Sequence, residues 1–165
     1  MKYFAIISVL ILIITLVGVV MLSTVNESDK VLVEATGVVQ EEAATNAGTF
    51  EVLQDQLRLG AVVGTTYTSN RELKDISNYQ FITYVVRLRN NTTVDAELVE
   101  IQVTPMIGDV LQMGSTSSVT VPAGETADVS VTILTDYTVS KHPVRELNVS
   151  YYMWGAPFSM KTTAK

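Results

Sequence analysis

The sequence predicts an all-β fold: a single antiparallel β-sandwich preceded by one N-terminal transmembrane helix. Three observations predict it. The stretch Tyr3–Val25 carries no charge and consists mainly of Ile, Leu and Val. From Thr49 onward, Val, Ile, Thr and Tyr dominate short apolar runs separated by turn residues, which is strand composition. Within those runs apolar and polar residues alternate, so each strand has one buried and one wet face.

The N-terminal segment sets the expected location. A helix of this length reaches about 35 Å at ~1.5 Å per residue, enough to cross a bilayer. The apolar run Phe4–Leu22 exceeds the ~7–15-residue core of a cleaved secretory signal. No A-x-A site follows it; the chain continues Met21-Leu22-Ser23-Thr24-Val25-Asn26. An uncleaved anchor is therefore expected, the alternative being cleavage near Val25 and secretion. The chain has no Cys, which excludes lipoprotein processing. Lys2 precedes the helix, while Glu27, Asp29 and Lys30 follow it. The positive-inside rule then puts the N-terminus in the cytoplasm and the bulk of the chain outside the cytoplasmic membrane. A two-residue tail leaves no room for a function on the inner side.

Three regions are expected: an anchor over 1–25, a stalk or linker over 26–48, and a sandwich over 49–165. Val31-Leu32-Val33 suits a short strand, but Gln40–Gly48 is polar and small, as in a linker or short helix. Phe50–Thr68 alternates poorly and suggests a bulge or an edge strand. In Tyr79–Arg89 the inward face carries Ile82, Tyr84, Val86 and Leu88, and Asn90–Thr93 turns the chain. Val99, Ile101 and Val103 point inward in the next strand, which Pro105 ends. Val119 and Val121 make a short strand before the turn Pro122–Glu125. Val129, Val131 and Ile133 line the following one. Leu147, Val149, Tyr151 and Met153 then alternate with Asn148, Ser150, Tyr152 and Trp154. Gly155-Ala156-Pro157 is expected as a hairpin turn into a last strand, Phe158–Thr163.

Charge narrows the partners. Acidic residues outnumber basic ones 17 to 11, which argues against nucleic acid and against anionic headgroups. A domain without Cys has no disulfide staple and must be held by its own core. Sequons occur at Asn26, Asn90, Asn91 and Asn148; the last three are candidate glycosylation sites.

The strand ending Arg87-Leu88-Arg89-Asn90, a turn, the strand Ala96–Val103, then Val121-Pro122-Ala123-Gly124-Glu125 leading into Val129–Ile133 share a cadence. It resembles immunoglobulin-like accessory domains of bacterial and archaeal membrane-anchored surface proteins, over roughly Tyr79–Thr163. The resemblance implies an immunoglobulin-like sandwich with a binding, spacing or assembly role. One helix followed by one sandwich is also the layout of stator-type proteins of the archaeal motility filament and of pilin-like subunits. The pilin processing site, a basic residue and Gly before the apolar run, is missing here.

No catalytic constellation is visible. The single His, His142, precedes Pro143 in a loop-like stretch, and a triad would need it held by a carboxylate against a nucleophile. One His and no Cys make a zinc site improbable, and neither a calcium-loop pattern nor a Gly-rich phosphate loop occurs. No metal and no cofactor are expected, and no enzyme. The local anomaly is aromatic: Tyr152 and Trp154 fall on the wet face of their strand, with Phe158 just past the turn. Exposed aromatics on a hairpin grip protein partners or sugar rings. The expected function is a non-catalytic interaction or structural module of the cell envelope. Its partner would be another surface protein or a second copy. The alternatives are a carbohydrate or cell-wall binder and a subunit or accessory of a surface filament.

Overall fold

The computed structural model describes residues 2–24, 30–69, 72–114, 119–139 and 143–164. Among them the order is α1 (Lys2–Thr24), β1 (Val31–Glu42), α2 (Ala47–Leu59), β2 (Gly64–Thr66), β3 (Tyr79–Asn90), β4 (Ala96–Val103), β5 (Asp109–Met113), β6 (Val119–Val121), β7 (Thr126–Asp136), β8 (Arg145–Met153) and β9 (Ala156–Ala164). Two antiparallel sheets result, β1-β3-β7-β5-β2 and β6-β4-β8-β9. The chain is an all-β sandwich. His142 and Asn26 lie outside the described residues.

The alternation read from the sequence is the core. Ile82, Tyr84, Val86 and Leu88 of β3 meet Val99, Ile101 and Val103 of β4, Val129, Val131 and Ile133 of β7, and Leu147, Val149, Tyr151 and Met153 of β8. All are buried. Each such side chain contributes about 1.5–3 kcal/mol on leaving water.

Two segments differ from expectation. Residues 26–48, expected as a stalk, supply β1, which pairs with β3 from Val31↔Asn90 to Glu42↔Gln80 around a bulge between Val33 and Ala35. The sandwich therefore begins near residue 30 rather than 49. The poorly alternating region after Phe50 is a helix. Phe50, Leu53 and Leu57 fall on one face of α2 and are buried, the i, i+3, i+7 spacing of an amphipathic helix. Gly60 ends it at φ 71, its N–H bonding Leu57 O and that of Ala61 bonding Gln56 O, as a left-handed cap does. The α2 face packs on Tyr79, Phe81, Leu111 and Leu134, forming a second cluster outside the inter-sheet core. The Phe50 and Tyr79 ring centroids are 5.4 Å apart.

Among the residues whose side chains are described, no helix is long and apolar enough to cross a membrane. The α1 backbone is helical from Lys2 to Thr24, with side chains described over 7–18.

Strand direction gives the sandwich two ends. β1 starts, β3 finishes and β8 finishes at the near end, the one that α1 precedes in the chain. β4, β7 and β3 place Pro105–Gly108, Tyr137–Val139 and α2 at the far end. β8 spans its nine residues, about 30 Å at ~3.4 Å per residue.

Polar side chains close both ends. At the far end Arg145 of β8 bonds Asp109 of β5 at 3.2 Å, with side-chain exposures of 1% and 0%. Asp109 also accepts from Met106 N at 2.7 Å. Burial, with the Asp109 charge adding and Arg145 opposing, pushes the Tyr84 hydroxyl up to about 12; that hydroxyl donates to Pro143 O at 3.0 Å. Between the sheets, Gln112 accepts from Val103 N at 2.8 Å and donates to Ile101 O at 3.0 Å. Its amide thus satisfies an edge of β4 as a neighbouring strand would.

Candidate interaction surfaces

The β8–β9 hairpin is closed by two residues. Met153 pairs with Ala156, and Trp154 and Gly155 take φ 50 and 74. Positive φ at both central residues matches the right-handed strand twist. The turn is therefore Trp154-Gly155, one residue earlier than expected, and Ala156-Pro157 already belongs to β9. A left-handed backbone suits Gly and strains a bulky side chain. Trp154 accepts that strain and stays 51% exposed.

Among the described residues only Leu98 shares this feature, with φ 51 outside glycine. β4 carries one extra residue there: Glu97 pairs with Tyr152 and Glu100 with Ser150. The bulge turns Val99 into the core and leaves Leu98 52% exposed. Leu98, Tyr152 and Trp154 thus mark the near end of the second sheet.

The three expected aromatics separate. Tyr152 and Trp154 are exposed, as the alternation implied. Phe158 instead faces the core edge, its ring stacked on Tyr151 with centroids 5.6 Å apart. Register explains this, because Phe158 pairs with inward-facing Tyr151. Lys30, just before β1, lies with Nζ 4.1 Å from the Phe158 ring centroid and 5.7 Å from that of Trp154. This cation–π contact fixes the entry of the chain into the sandwich beside the hairpin. Leu98 and Lys30 were not singled out by the sequence. A bulge leaves no mark in composition, and a lone Lys after an apolar run looks like a flank.

The sequon asparagines also separate. Asn90 is 0% exposed, and its Nδ2 donates to Val94 O at 2.7 Å and Val121 O at 3.0 Å. Both amide protons are used, so a glycan on Asn90 is incompatible with this fold. Asn91 is exposed, its Oδ1 accepting from Arg89 Nε at 3.1 Å. Asn148 is half-buried on β8, between β4 and β9.

The far end exposes a second apolar group. Ile107, at the tip of the turn Pro105–Gly108, is 84% exposed, and Met106, Tyr137, Val139 and Val144 are exposed around it. Asp136 N donates to Gly108 O at 2.8 Å, joining the two turns. Asp136 itself organises them, accepting from Thr138 N and Thr138 Oγ1 and from Lys74 Nζ at 2.9 Å. Burial opposes ionisation of this carboxyl, but the bonds from Thr138 and Lys74 outweigh it and hold it below the ordinary carboxylate range.

A carboxyl depressed in the folded state stabilises above its unfolded value of ~3.9, and that contribution is lost as pH falls through the folded value. Asp136→Asn is thus expected to lower stability near neutral pH. Its deficit against the parent chain should shrink as pH falls below about 4. Urea unfolding of both proteins across that range checks it; a deficit independent of pH would contradict it.

A cleft of about 490 Å³ opens between β4 and β7, lined by residues that include Glu100, Ile101, Gln112, Val129 and Thr132. Among the described residues no three His, Cys, Asp or Glu side chains converge on one point.

No family model matches the chain and no curated protein matches it. Among solved structures it is similar to the yeast GGA1 GAE domain, at 11% identity and TM-score 0.35 over 56% of this chain and 93% of that one. It is also similar to a FixG-related protein from Vibrio parahaemolyticus, at 11% identity and TM-score 0.37 over 79% and 93%. A third likeness is to the cupredoxin domain of amoB from Nitrosocaldus yellowstonii, at 12% and 0.35 over 82% and 85%. Likeness at this level carries nothing about function.

Proposed function

We propose that this chain is a non-catalytic interaction module of the cell envelope. α1 anchors it in the cytoplasmic membrane, and its far end is presented outward to another surface protein. The observation that carries this reading is the apolar far end. Ile107, Met106, Tyr137 and Val139 stand exposed on two hydrogen-bonded turns, and exposed apolar groups on a rigid scaffold mark interaction sites. Anchoring is supported by α1 itself, whose 23 residues hold no charge after Lys2. A helix apolar on all faces needs lipid or a large protein around it.

A photo-reactive residue placed at Ile107 of the full chain in its own cells tests the reading. The protein is expected in the membrane fraction, resistant to alkaline extraction, with one dominant envelope-protein adduct from position 107. Recovery in the soluble fraction would remove the anchor. Adducts only with a second copy would favour a filament subunit. Absence of adducts from position 107, with adducts from the Tyr152 face on isolated wall polymer, would favour the carbohydrate reading.

A further inference from the structure

We propose that the near end of the sandwich rests on the bilayer interface, with Leu98, Tyr152 and Trp154 entering the headgroup layer of a zwitterionic membrane. This rests on the anchoring reading above.

Chain length restricts where the near end can lie. Only residues 25–29 separate Thr24 from Lys30, a reach of about 20 Å at ~3.3–3.6 Å per residue. Lys30 is not free to lengthen that tether, because its Nζ lies against the rings of Phe158 and Trp154. The near end is therefore held close to the end of α1, while the far end stands about 30 Å further along β8.

The surface at that end suits the contact. The two non-glycine residues with left-handed backbone among the described residues, Leu98 and Trp154, are both large, apolar and about half exposed. They sit at the same end of neighbouring strands, with Tyr152 between them in sequence register. Strain that turns apolar side chains into water is retained where a contact repays it. Trp and Tyr suit a membrane interface, where the ring body is sheltered and the polar edge stays wet. Asp95, Glu97 and Glu125 border the same end, so anionic headgroups are disfavoured and the contact is aromatic and apolar.

Trp154 is the single Trp of the chain and therefore its own reporter. The full chain is reconstituted into phosphocholine vesicles with and without bromine on the acyl chains. Trp154 emission is expected to lose intensity in brominated vesicles, more for bromines near the headgroup than for bromines near the chain end. The pair Leu98→Ser and Tyr152→Ser should reduce that loss. Flotation with the vesicles but unchanged emission, still open to an aqueous quencher, would overturn the lipid contact and leave anchoring intact. Failure to float would overturn anchoring and this proposal together. Emission that changes with the protein-to-lipid ratio but not with bromine would assign the patch to a second copy instead, also overturning it.

Discussion

Arg145→Met is expected to destabilise the domain by about 3–5 kcal/mol. Arg145 and Asp109 are enclosed together at the far end, 3.2 Å apart and almost without solvent contact. Removing the guanidinium leaves a carboxylate in the interior with one backbone donor, Met106 N, for company. The loss is the penalty of an unpaired buried charge, not the worth of the pair. Adding Asp109→Asn to Arg145→Met removes the stranded charge yet keeps an acceptor for Met106 N, so the double variant should regain a large part of the stability. Urea unfolding followed by far-ultraviolet circular dichroism compares the three chains. Equal losses in single and double variants would show that the pair acts through packing alone.

Neither partner of that pair is legible in the sequence, and the reason is general to this fold. Period-2 alternation reports a strand with one face on the core and one in water. Ile82–Leu88, Val99–Val103, Val129–Ile133 and Leu147–Met153 meet that condition, and their inward sets are visible in the order of residues alone. β1 does not: it lies at the edge of its sheet, with few buried residues and a bulge after Val33, so its pattern dissolves. β5 does not either, since Val110 and Leu111 belong to the α2 cluster while Gln112 reaches β4. A strand covered on both faces has no wet side to alternate with. α2 was hidden by its brevity, three buried residues over two turns, although Gly60 just past Leu59 is a helix-stop signal.

The surface was legible in part for the same physical reason. Tyr152 follows from alternation along β8, while Trp154, one residue past its end, is exposed because it forms the turn. Phe158 fails because its face depends on where the hairpin turns. A two-residue loop needs left-handed backbone at both positions. Pro157, with its ring-fixed φ, cannot supply that; the loop closes in two residues, Trp154-Gly155, where three were expected, and this brings Phe158 into register with inward-facing Tyr151 rather than with Trp154. Leu98 depends on the extra residue in β4, which is defined only against β8 and β6.

Asn90→Ala is expected to cost about 2–4 kcal/mol and to loosen the near end in particular. Asn90 ends β3 with its side chain enclosed. Its Nδ2 serves Val94 O and Val121 O, while its Oδ1 accepts from Thr92 N at 3.0 Å and Thr92 Oγ1 at 2.8 Å. One side chain thus ties the Asn91–Asp95 loop to β6. Its backbone N–H reaches Glu125 O, and Asn91 N reaches Lys30 O, both at 2.9 Å. Truncation takes the Asn90 partner from Val121 O and Thr92 N, and leaves Val94 O with the bond from Thr92 Oγ1 at 2.8 Å. Hydrogen exchange should therefore quicken first at Thr92, Ala123 and Asn91, before the β3–β7 ladder responds. Asn90→Asp separates the donor role from the acceptor role. It keeps the bonds from Thr92 but sets a carboxylate against Val94 O and Val121 O. At neutral pH it should be at least as destabilised as the Ala variant. On acidification the protonated carboxyl regains one donor, so the Asp variant should recover relative to Ala. An Asp variant as stable as the parent chain at neutral pH would mean that the Thr92 contacts, not the Nδ2 bonds, hold this end together.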